Sequence, residues 1–364
     1  MTSTRTSSGA SRSSGSSADL FPDLLPDLFP DRFPPLFPDR FPPLFAAGTR
    51  WRALGARGAG AVLAGVSGVV ACRALDTDAV TPVPQLLAFL PWLLVPAGGA
   101  AGVAVLARWW PGAGWAGVAL GLLAWYLQPY GGGDGPGGTP VAEVRVLTSN
   151  VEFGWATGSL IPVVRREKPD VVFVQECPLA CQAAVREELG TSHPYRAAVP
   201  GEGSAGSLIL SRFPLTPVEG VAGNMGMPGA VAEVDGHPVR LQLAHPEPPL
   251  PRQIGLWKRE LGRLRDFAAR ARREGGPLVL AGDFNATRDH AAFRRVLDTG
   301  LRDAARSAGA GRAPSWPSRT APVFGAQIDH VLVSKEFSAR RARFLHLDGT
   351  DHRALLVDLT LHRP

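Results

Sequence analysis

Three long apolar runs without charged residues constrain the fold of this chain more than any other sequence feature. The runs cover residues 58–72, 79–107 and 109–133. A bilayer core of ~30 Å needs about 20 helical residues, and only short breaks separate these runs. We therefore predict that residues 50–130 form an all-α transmembrane segment. Its three helices are expected at about 54–75, 83–107 and 110–130. Buried helices of a soluble domain are the alternative.

Basic residues around the runs predict their orientation. Arg50, Arg52 and Arg57 precede the first run, and Arg108 lies between the second and third. The positive-inside rule places these arginines in the cytoplasm. With three spans, everything after the third run lies outside the cytoplasm. The expected protein is a multi-pass protein of the cell membrane, with the lipid bilayer as a partner and no obligate protein partner.

The segment before the apolar runs has a biased composition. Residues 1–18 are rich in Ser, and LFPD and RFPP tetrapeptides follow. Proline at every fourth position prevents a continuous helix or an interior strand. We predict that residues 1–49 are disordered. A drifting low-complexity repeat is favoured over a docking arm.

A second region with a different pattern follows the apolar runs. The Gly-rich stretch 131–140 is predicted to be a flexible linker. Residues 141–364 then alternate between strand-like and helix-like patterns, and VRVLTSN, PDVVFVQE, GSLILSRF, HPVRLQLAH, LVLAGDFN, IDHVLVS and RALLVDLTL read as strands. Apolar residues from Ile254 to Phe267 line one face of a helix. The sequence therefore predicts a single α/β domain that is long enough to bury its own core.

Three cysteines exclude a disulfide scaffold. Cys177 and Cys181 stand four residues apart, without the further Cys or His of a zinc site. Free thiols are the favoured prediction, with a disulfide in an oxidising compartment as the alternative. The formal net charge of +6 suits an anionic substrate but is too small to indicate nucleic-acid binding. The abundance of Ala, Gly, Pro and Arg is typical of a GC-rich bacterial genome.

Acids, amides and imidazoles end or occupy most of the predicted strands. They are Asn150, Glu152, Glu176, His245, Asp283, Asn285, Asp329, His330, Asp351 and His352. Each alone has an ordinary explanation, and Asp283 with Asn285 could simply form a turn that caps the next helix. If the strand continues, both would point the same way. Oxygen and imidazole ligands together favour Mg²⁺, with Mn²⁺ or Ca²⁺ as alternatives, over zinc.

The order of these motifs carries a resemblance to a known family. TSNVE, VQE, a His before a Pro-rich turn, GDFN, IDH and GTDH follow one another as in the endonuclease/exonuclease/phosphatase superfamily. The chain resembles a membrane-anchored bacterial member of it. The resemblance covers about Val144 to Leu361. It implies a deoxyribonuclease-like four-layer sandwich, two packed β-sheets flanked by helices.

The resemblance also implies roles for individual residues. The metal site would consist of Glu176, Asn150, Glu152 and Asp351. The catalytic residues would be Asp283, Asn285, His245, His352 and Asp329. Asp283 and Asn285 would orient the attacking water and the phosphate, and both histidines would contact the phosphate. Position 152 holds Glu where many members have Asp, and AHPEPP departs from the usual sequence after the histidine.

The predicted function is a membrane-tethered, divalent-metal-dependent phosphodiesterase or phosphatase. Phosphate-ester hydrolysis requires charge neutralisation, an aligned water and a stabilised leaving group, which these residue types supply. A nuclease-like hydrolase is favoured, and a phospholipid or inositol-phosphate hydrolase is the alternative. A non-catalytic scaffold that binds a phosphorylated ligand is a further alternative. The basic helix face Lys258, Arg259, Arg263, Arg270 and Arg273 is expected to be solvated rather than to track DNA.

Overall fold

A computed structural model describes residues 44–128 and 138–363 of the chain. The described residues from Trp51 onward belong to one compact unit. Residues 1–43 of the segment predicted to be disordered (1–49) and most of the predicted linker lie outside the described residues, whereas residues 44–49 begin a helix. The linker boundary at 140 is nevertheless wrong, because the first strand already begins at Thr139. Thr139 and Pro140 pair with the last strand of the chain, which draws them into the sheet.

Among the residues that the structure describes, four α-helices and one short 3₁₀ helix precede this strand. They are α1 (Leu44–Ala74), α2 (Val83–Ala88), the 3₁₀ helix Leu90–Leu93, α3 (Leu94–Leu106) and α4 (Trp110–Leu127). Gly55 in the first half of α1 lies close to Val103 near the end of α3, since a Cβ added at Gly55 would lie 3.3 Å from Val103 Cγ1. The Arg73 guanidinium lies 4.8 Å from the Tyr126 ring centroid, which brings the ends of α1 and α4 together. The helices bury an apolar cluster of their own.

The prediction of three membrane spans is supported for one helix only. Among the described residues, the stretch Thr49–Ala74 is long and apolar enough to cross a membrane. The second predicted span, 83–107, is broken into three pieces, with only Leu90–Leu106 forming a shorter apolar helix. Pro91 lacks an N–H group and lies at the interruption, where a continuous helix is not sustained. The third, 110–130, corresponds to α4, which ends at Leu127.

The remainder of the chain forms two six-stranded sheets. The strands of the first sheet are β1 (Thr139–Asn150), β2 (Val171–Gln175), β3 (Tyr195–Val199), β4 (Ser207–Ser211), β11 (Phe337–His346) and β12 (Arg353–Arg363), in the order β11-β12-β1-β2-β4-β3. Those of the second are β5 (Leu215–Val218), β6 (Gly229–Val234), β7 (His237–Ala244), β8 (Leu278–Asp283), β9 (Arg302–Asp303) and β10 (Asp329–Val333), in the order β5-β6-β7-β8-β10-β9. The seven predicted strands are confirmed.

The two sheets pack face to face and helices cover their outer faces. Alternating apolar residues such as Val146, Phe173, Leu241 and Val331 form the core between the sheets. The other helices are α5 (Thr157–Glu167), α6 (Leu179–Leu189), α7 (Ile254–Glu274), α8 (Ala291–Leu297) and α9 (Ala304–Ser307). One outer cluster packs α5 and α6 on the first sheet, and another packs α7 and α8 on the second. The predicted fold of two packed sheets with flanking helices is confirmed.

Cys177 and Cys181 form a disulfide, so the favoured prediction of free thiols is wrong. Cys181 lies in the first turn of α6 and Cys177 just before the helix, which brings their Cα atoms to 5.2 Å. Both side chains are buried in the cluster under α6. The disulfide therefore anchors the start of α6 directly after Glu176.

Candidate active site

The ends of strands from both sheets meet along one edge of the sandwich. β1 and β2 are parallel and pair Asn150 with Gln175, and the parallel strands β7 and β8 pair Ala244 with Gly282. Residues that follow these strands therefore emerge at the same edge. Gly282 permits the close approach in the second sheet, because a Cβ there would lie 1.9 Å from the Ala244 carbonyl oxygen.

Asn150 links the two sheets across this edge. Its buried side-chain amide donates hydrogen bonds to Glu176 Oε1 at 3.0 Å and to Asp283 Oδ2 at 3.2 Å. Glu176 belongs to the first sheet and Asp283 to the second. The amide thus holds two carboxylates of different sheets close together, and it leaves its own Oδ1 to accept from the backbone N–H of Glu152.

His352 and two aspartates form a compact buried cluster. His352 Nδ1 lies 2.9 Å from Asp329 Oδ2, and Nε2 lies 3.7 Å from Asp283 Oδ2. Burial acts to lower the pKa of His352, but Asp329 and Asp283 outweigh burial and raise the pKa to about 10. At neutral pH this imidazole is therefore a cation.

Asp283 has the properties of a general base. Burial raises the pKa of Asp283 to about 7, although the charge of His352 acts to lower it. The ideal pKa of a catalytic base lies near the working pH. The carboxylate is oriented by the Asn285 backbone N–H, which donates to Oδ1 at 2.8 Å.

Asn285 does not extend the strand as predicted. Its φ is +47°, and β8 ends at Asp283. The chain therefore makes a turn in which Asp283 accepts from the backbone two residues on, so that the two side chains do not simply continue one face. The Asn285 amide donates to the Pro246 carbonyl oxygen at 3.0 Å. The GDFN segment can therefore form a turn and still present the Asp283 carboxylate for catalysis.

His245 lies beside Glu176 and is fully buried. Its Nε2 is 3.8 Å from Glu176 Oε1, and within the described part of the chain neither ring nitrogen has a hydrogen-bond partner. Burial, reinforced by the charge of His352, lowers the pKa of His245 to about 3. A neutral, unpartnered and buried imidazole at this edge is available to contact a ligand.

Glu152 and Asp351 lie at the rim of the cluster and contact one another. Glu152 Oε2 accepts from the Asp351 backbone N–H at 2.7 Å and pairs with Arg319 at 2.6 Å. Asp351 Oδ1 lies 3.7 Å from His352 Nε2, and Oδ2 accepts from the Trp316 indole at 2.8 Å. The structure therefore shows Glu152 oriented by Arg319, and its proposed contact with a metal stays a prediction.

The residues present fit a hard divalent cation. Glu176 and Asp283 offer carboxylate oxygens that the Asn150 amide holds close together, and the neighbouring Cys177 sulfur is bound in a disulfide. Asp283, Asp329 and His352 also place one ligand atom each within 4.8 Å of one another. Asp329 Oδ1 is buried without a hydrogen-bond partner among the described residues. The short His352–Asp329 contact favours a cation nearer to Glu176.

Four of the ten non-glycine residues with positive φ in the described part of the chain lie at this edge. Glu152, Phe153, Glu176 and Asn285 all have φ between 43° and 55°. Such conformations cost free energy for non-glycine residues and cluster at functional sites. Sequence patterns predicted the polar residues but not the supporting Trp316 and Arg319, which lie in an irregular segment far away in sequence and carry no local signal.

Comparisons with known proteins agree with the fold. A protein-family sequence model, described as "Endonuclease/Exonuclease/phosphatase family", matches residues 147–352 of this chain. No curated protein sequence matches the chain.

Solved structures are similar at low sequence identity. TDP2 from Caenorhabditis elegans is 18% identical with a TM-score of 0.50, covering 60% of this chain and 74% of that one. D. rerio TDP2 complexed with a single-strand DNA product is 17% identical with a TM-score of 0.49, over 60% and 99%. An endonuclease/exonuclease/phosphatase from Beutenbergia cavernae is 20% identical with a TM-score of 0.47, over 61% and 72%. At 18% identity, the similarity to TDP2 from Caenorhabditis elegans shows that the two proteins share a fold and nothing further.

Proposed function

The chain belongs to the endonuclease/exonuclease/phosphatase family, whose members hydrolyse phosphoric esters, and we propose that it is a membrane-tethered, divalent-metal-dependent hydrolase of this type. One observation carries the proposal. Asn150 joins Glu176 to Asp283, and Asp283 lies beside the buried His352–Asp329 pair. This arrangement combines an oxygen-rich cation site, a carboxylate base and a fixed cation for the phosphate.

Each side chain has a distinct part in the proposed reaction. Asp283, with a pKa near neutrality, accepts a proton from the attacking water. His352 remains protonated through its contact with Asp329 and stabilises the negative charge of the phosphate. His245 is neutral, lies beside Glu176 and contacts the phosphate as well. Asn285 orients Asp283 through its backbone N–H.

Glu176 and Asn150 would hold the divalent cation, with Asp351 close by. Mg²⁺ is the proposed ion, and Mn²⁺ and Ca²⁺ bind similar oxygen donors. When bound, the cation supplies Lewis-acid polarisation of the phosphate and stabilises the leaving oxygen. Phe153 fixes the orientation of Glu176, because its backbone N–H donates to Oε2 at 3.1 Å.

Membrane tethering is supported by the helices that precede the catalytic domain. The apolar stretch Thr49–Ala74 satisfies the length requirement, and α3 and α4 expose large apolar side chains such as Leu106, Trp110 and Val118. The contact between Arg73 and the Tyr126 ring places the end of α4 beside the end of α1. Together with the arginine distribution, this favours an extracytoplasmic catalytic domain, where the Cys177–Cys181 disulfide is stable.

The experiment is hydrolysis of bis(p-nitrophenyl) phosphate by the purified full chain. We expect p-nitrophenol release with Mg²⁺, loss of release after chelation with EDTA, and recovery on adding the metal back. A panel of plasmid DNA, abasic oligonucleotide, sphingomyelin and inositol phosphates extends the test to natural ester classes. A folded protein that hydrolyses none of these with any of the three metals contradicts the proposal and favours the non-catalytic scaffold.

A further inference from the structure

An apolar pocket of about 300 Å³ opens directly beside the candidate active site. The helical segment contributes Pro84, Ala88 and Phe89 to one wall, and the catalytic domain contributes Leu250 and Ile328 to the other. Asn285 and His352 of the candidate active site also line it. Its size falls at the lower end of the ~300–1,000 Å³ range of ligand pockets. A phosphate held at the active site therefore has an apolar cavity next to it.

The polar groups that border the pocket are mostly occupied by the protein itself. His290 Nε2 contacts the Pro84 carbonyl oxygen at 2.7 Å, and the Gln85 side-chain nitrogen donates to the Pro249 carbonyl oxygen. The Trp316 indole donates to Asp351. Gln85 Oε1 is the exception, since it has no partner among the described residues. A sugar or nucleobase would thus lose most of its hydrogen bonds on entering, whereas an alkyl chain loses none.

The helical wall of the pocket is fixed to the catalytic domain by buried contacts. Asp78, fully buried, accepts from the Ala292 backbone N–H at 2.8 Å and pairs with Lys258 at 3.2 Å. The Phe89 ring lies 6.2 Å from the Trp316 ring and 5.6 Å from the Phe324 ring, measured between centroids. The pocket is therefore a formed feature of the molecule.

A second ion cluster strengthens the same interface. The buried Asp289 carboxylate pairs with Arg73 at the end of α1 and with Arg312 of the catalytic domain. Arg312 also donates to the Tyr126 carbonyl oxygen at 2.9 Å, near the end of α4. The ends of α1 and α4 thus lie against the catalytic domain close to the pocket. If these helices cross a bilayer, the pocket lies near the membrane surface.

We propose that this pocket binds the apolar part of the substrate, so that the hydrolysed compound is a lipid phosphate ester. The inference rests on the proposed hydrolase function and names its substrate class. The pocket connects to His352, so one bound molecule can place its phosphate at the active site and its chain between the helices and the catalytic domain. Hydrolysis then adds water across the P–O bond and releases an alcohol and a phosphate product. The apolar pocket thus favours a lipid phosphate ester over a nucleic acid as the substrate.

A series of p-nitrophenyl phosphodiesters tests the proposal. Methyl, butyl and octyl p-nitrophenyl phosphate differ only in chain length, and the full chain is kept in solution with an amphipathic polymer. Burying each methylene is expected to raise kcat/KM roughly two- to fourfold, or at least ~100-fold from methyl to octyl. Equal kcat/KM values along the series would overturn the proposal, as would faster hydrolysis of the thymidine 5′-p-nitrophenyl ester than of the octyl ester.

Two tryptophan variants locate the effect. Ala88→Trp fills the pocket and should reduce the octyl-to-methyl ratio of kcat/KM at least tenfold. Ala64→Trp is the matched control, because Ala64 lies on the exposed face of α1 away from the pocket. It should leave the ratio unchanged, which also corrects for partition of the octyl ester into the polymer. An undiminished ratio in Ala88→Trp would contradict the assignment.

A binding measurement separates failure of this inference from failure of the hydrolase proposal. Isothermal titration calorimetry compares octyl phosphate with methyl phosphate on the same full-length proteins. If no ester is hydrolysed, tighter binding of octyl phosphate that is lost in Ala88→Trp supports the pocket and rejects only the catalytic role. Hydrolysis of the methyl ester without preferential octyl phosphate binding keeps the enzyme and rejects the lipid pocket.

Discussion

His352 Nδ1 lies 2.9 Å from Asp329 Oδ2, and both side chains are buried at the edge where the two sheets meet. A second buried pair has nearly the same geometry, since His330 Nδ1 lies 3.0 Å from Asp303 Oδ2. His330 points to the other face of β10, where its ring contacts Phe293 and its Nε2 lies 3.0 Å from the Ala286 carbonyl oxygen. The chain therefore contains a candidate catalytic pair and an internal control for it.

His352→Ala should lower kcat/KM for bis(p-nitrophenyl) phosphate by ~10²–10³, because the cation beside the phosphate is lost. Added Mg²⁺ should not restore the activity. His330→Ala removes an equally buried imidazole. The fraction of this variant that remains folded should have the same specific activity as the unchanged chain. Thermal unfolding of both variants reports that fraction. Similar specific activities in the two folded variants would argue against a catalytic role for His352.

Glu176→Gln should lower activity at low Mg²⁺ and recover part of it at high Mg²⁺. The amide keeps the shape of the carboxylate but binds the cation more weakly, by roughly 10–100-fold for changes around a metal site. The measurement is the Mg²⁺ dependence of the rate. Glu187→Gln, on the exposed surface of α6, is the control, and its rate should depend on Mg²⁺ concentration as that of the unchanged chain does. An identical Mg²⁺ midpoint in Glu176→Gln would remove this residue from the metal site.

The fragment 139–364 should fold without the helices. Its three apolar clusters contain only residues from Val141 onward, and the helices bury a separate cluster. Removing the helices exposes Asp289 and His290, which costs some stability but leaves the core intact. Circular dichroism and size-exclusion chromatography should show a folded monomer. Recovery only as aggregate, while the full chain remains monodisperse, would show that the domain boundary is wrong.

A reporter that is active only outside the cytoplasm, fused after Pro364, should give signal in cells. The prediction follows from the arginine distribution and an odd number of spans. A reporter that is active only in the cytoplasm, fused at the same position, is the paired control and should be silent. The reverse pattern would place the domain inside, where Cys177 and Cys181 are expected to be reduced.

Sequence patterns predicted the strands and the polar residues at their ends because alternation and strand length are local properties. Asn150, Glu176, Asp283 and His352 are close together because the strands that carry them are neighbours or face each other. The family resemblance predicts from the sequence that these four residues belong to one site.

Other features depend on contacts that no local pattern encodes. The positive φ of Asn285 arises from the turn that follows β8, whereas the residue pattern there is equally compatible with an extended chain. Arg319 and Glu152 are far apart in sequence, so their ion pair could not be foreseen. Pro91 divides a hydrophobic run that composition alone presents as one span. The docking of α2 beside His352, which forms the apolar pocket, likewise follows only from tertiary packing.

Asp283→Asn in the full chain tests the central claim most directly. The change replaces a carboxylate with an amide of the same shape that cannot accept a proton at neutral pH. Asp303→Asn, at the buried pair outside the site, is the matched control. If Asp283 is the general base, kcat/KM for bis(p-nitrophenyl) phosphate should fall by ~10²–10⁴ while thermal unfolding shows a retained fold. A folded Asp283→Asn protein that hydrolyses the ester as fast as the unchanged chain would contradict the account and leave GDFN as a turn.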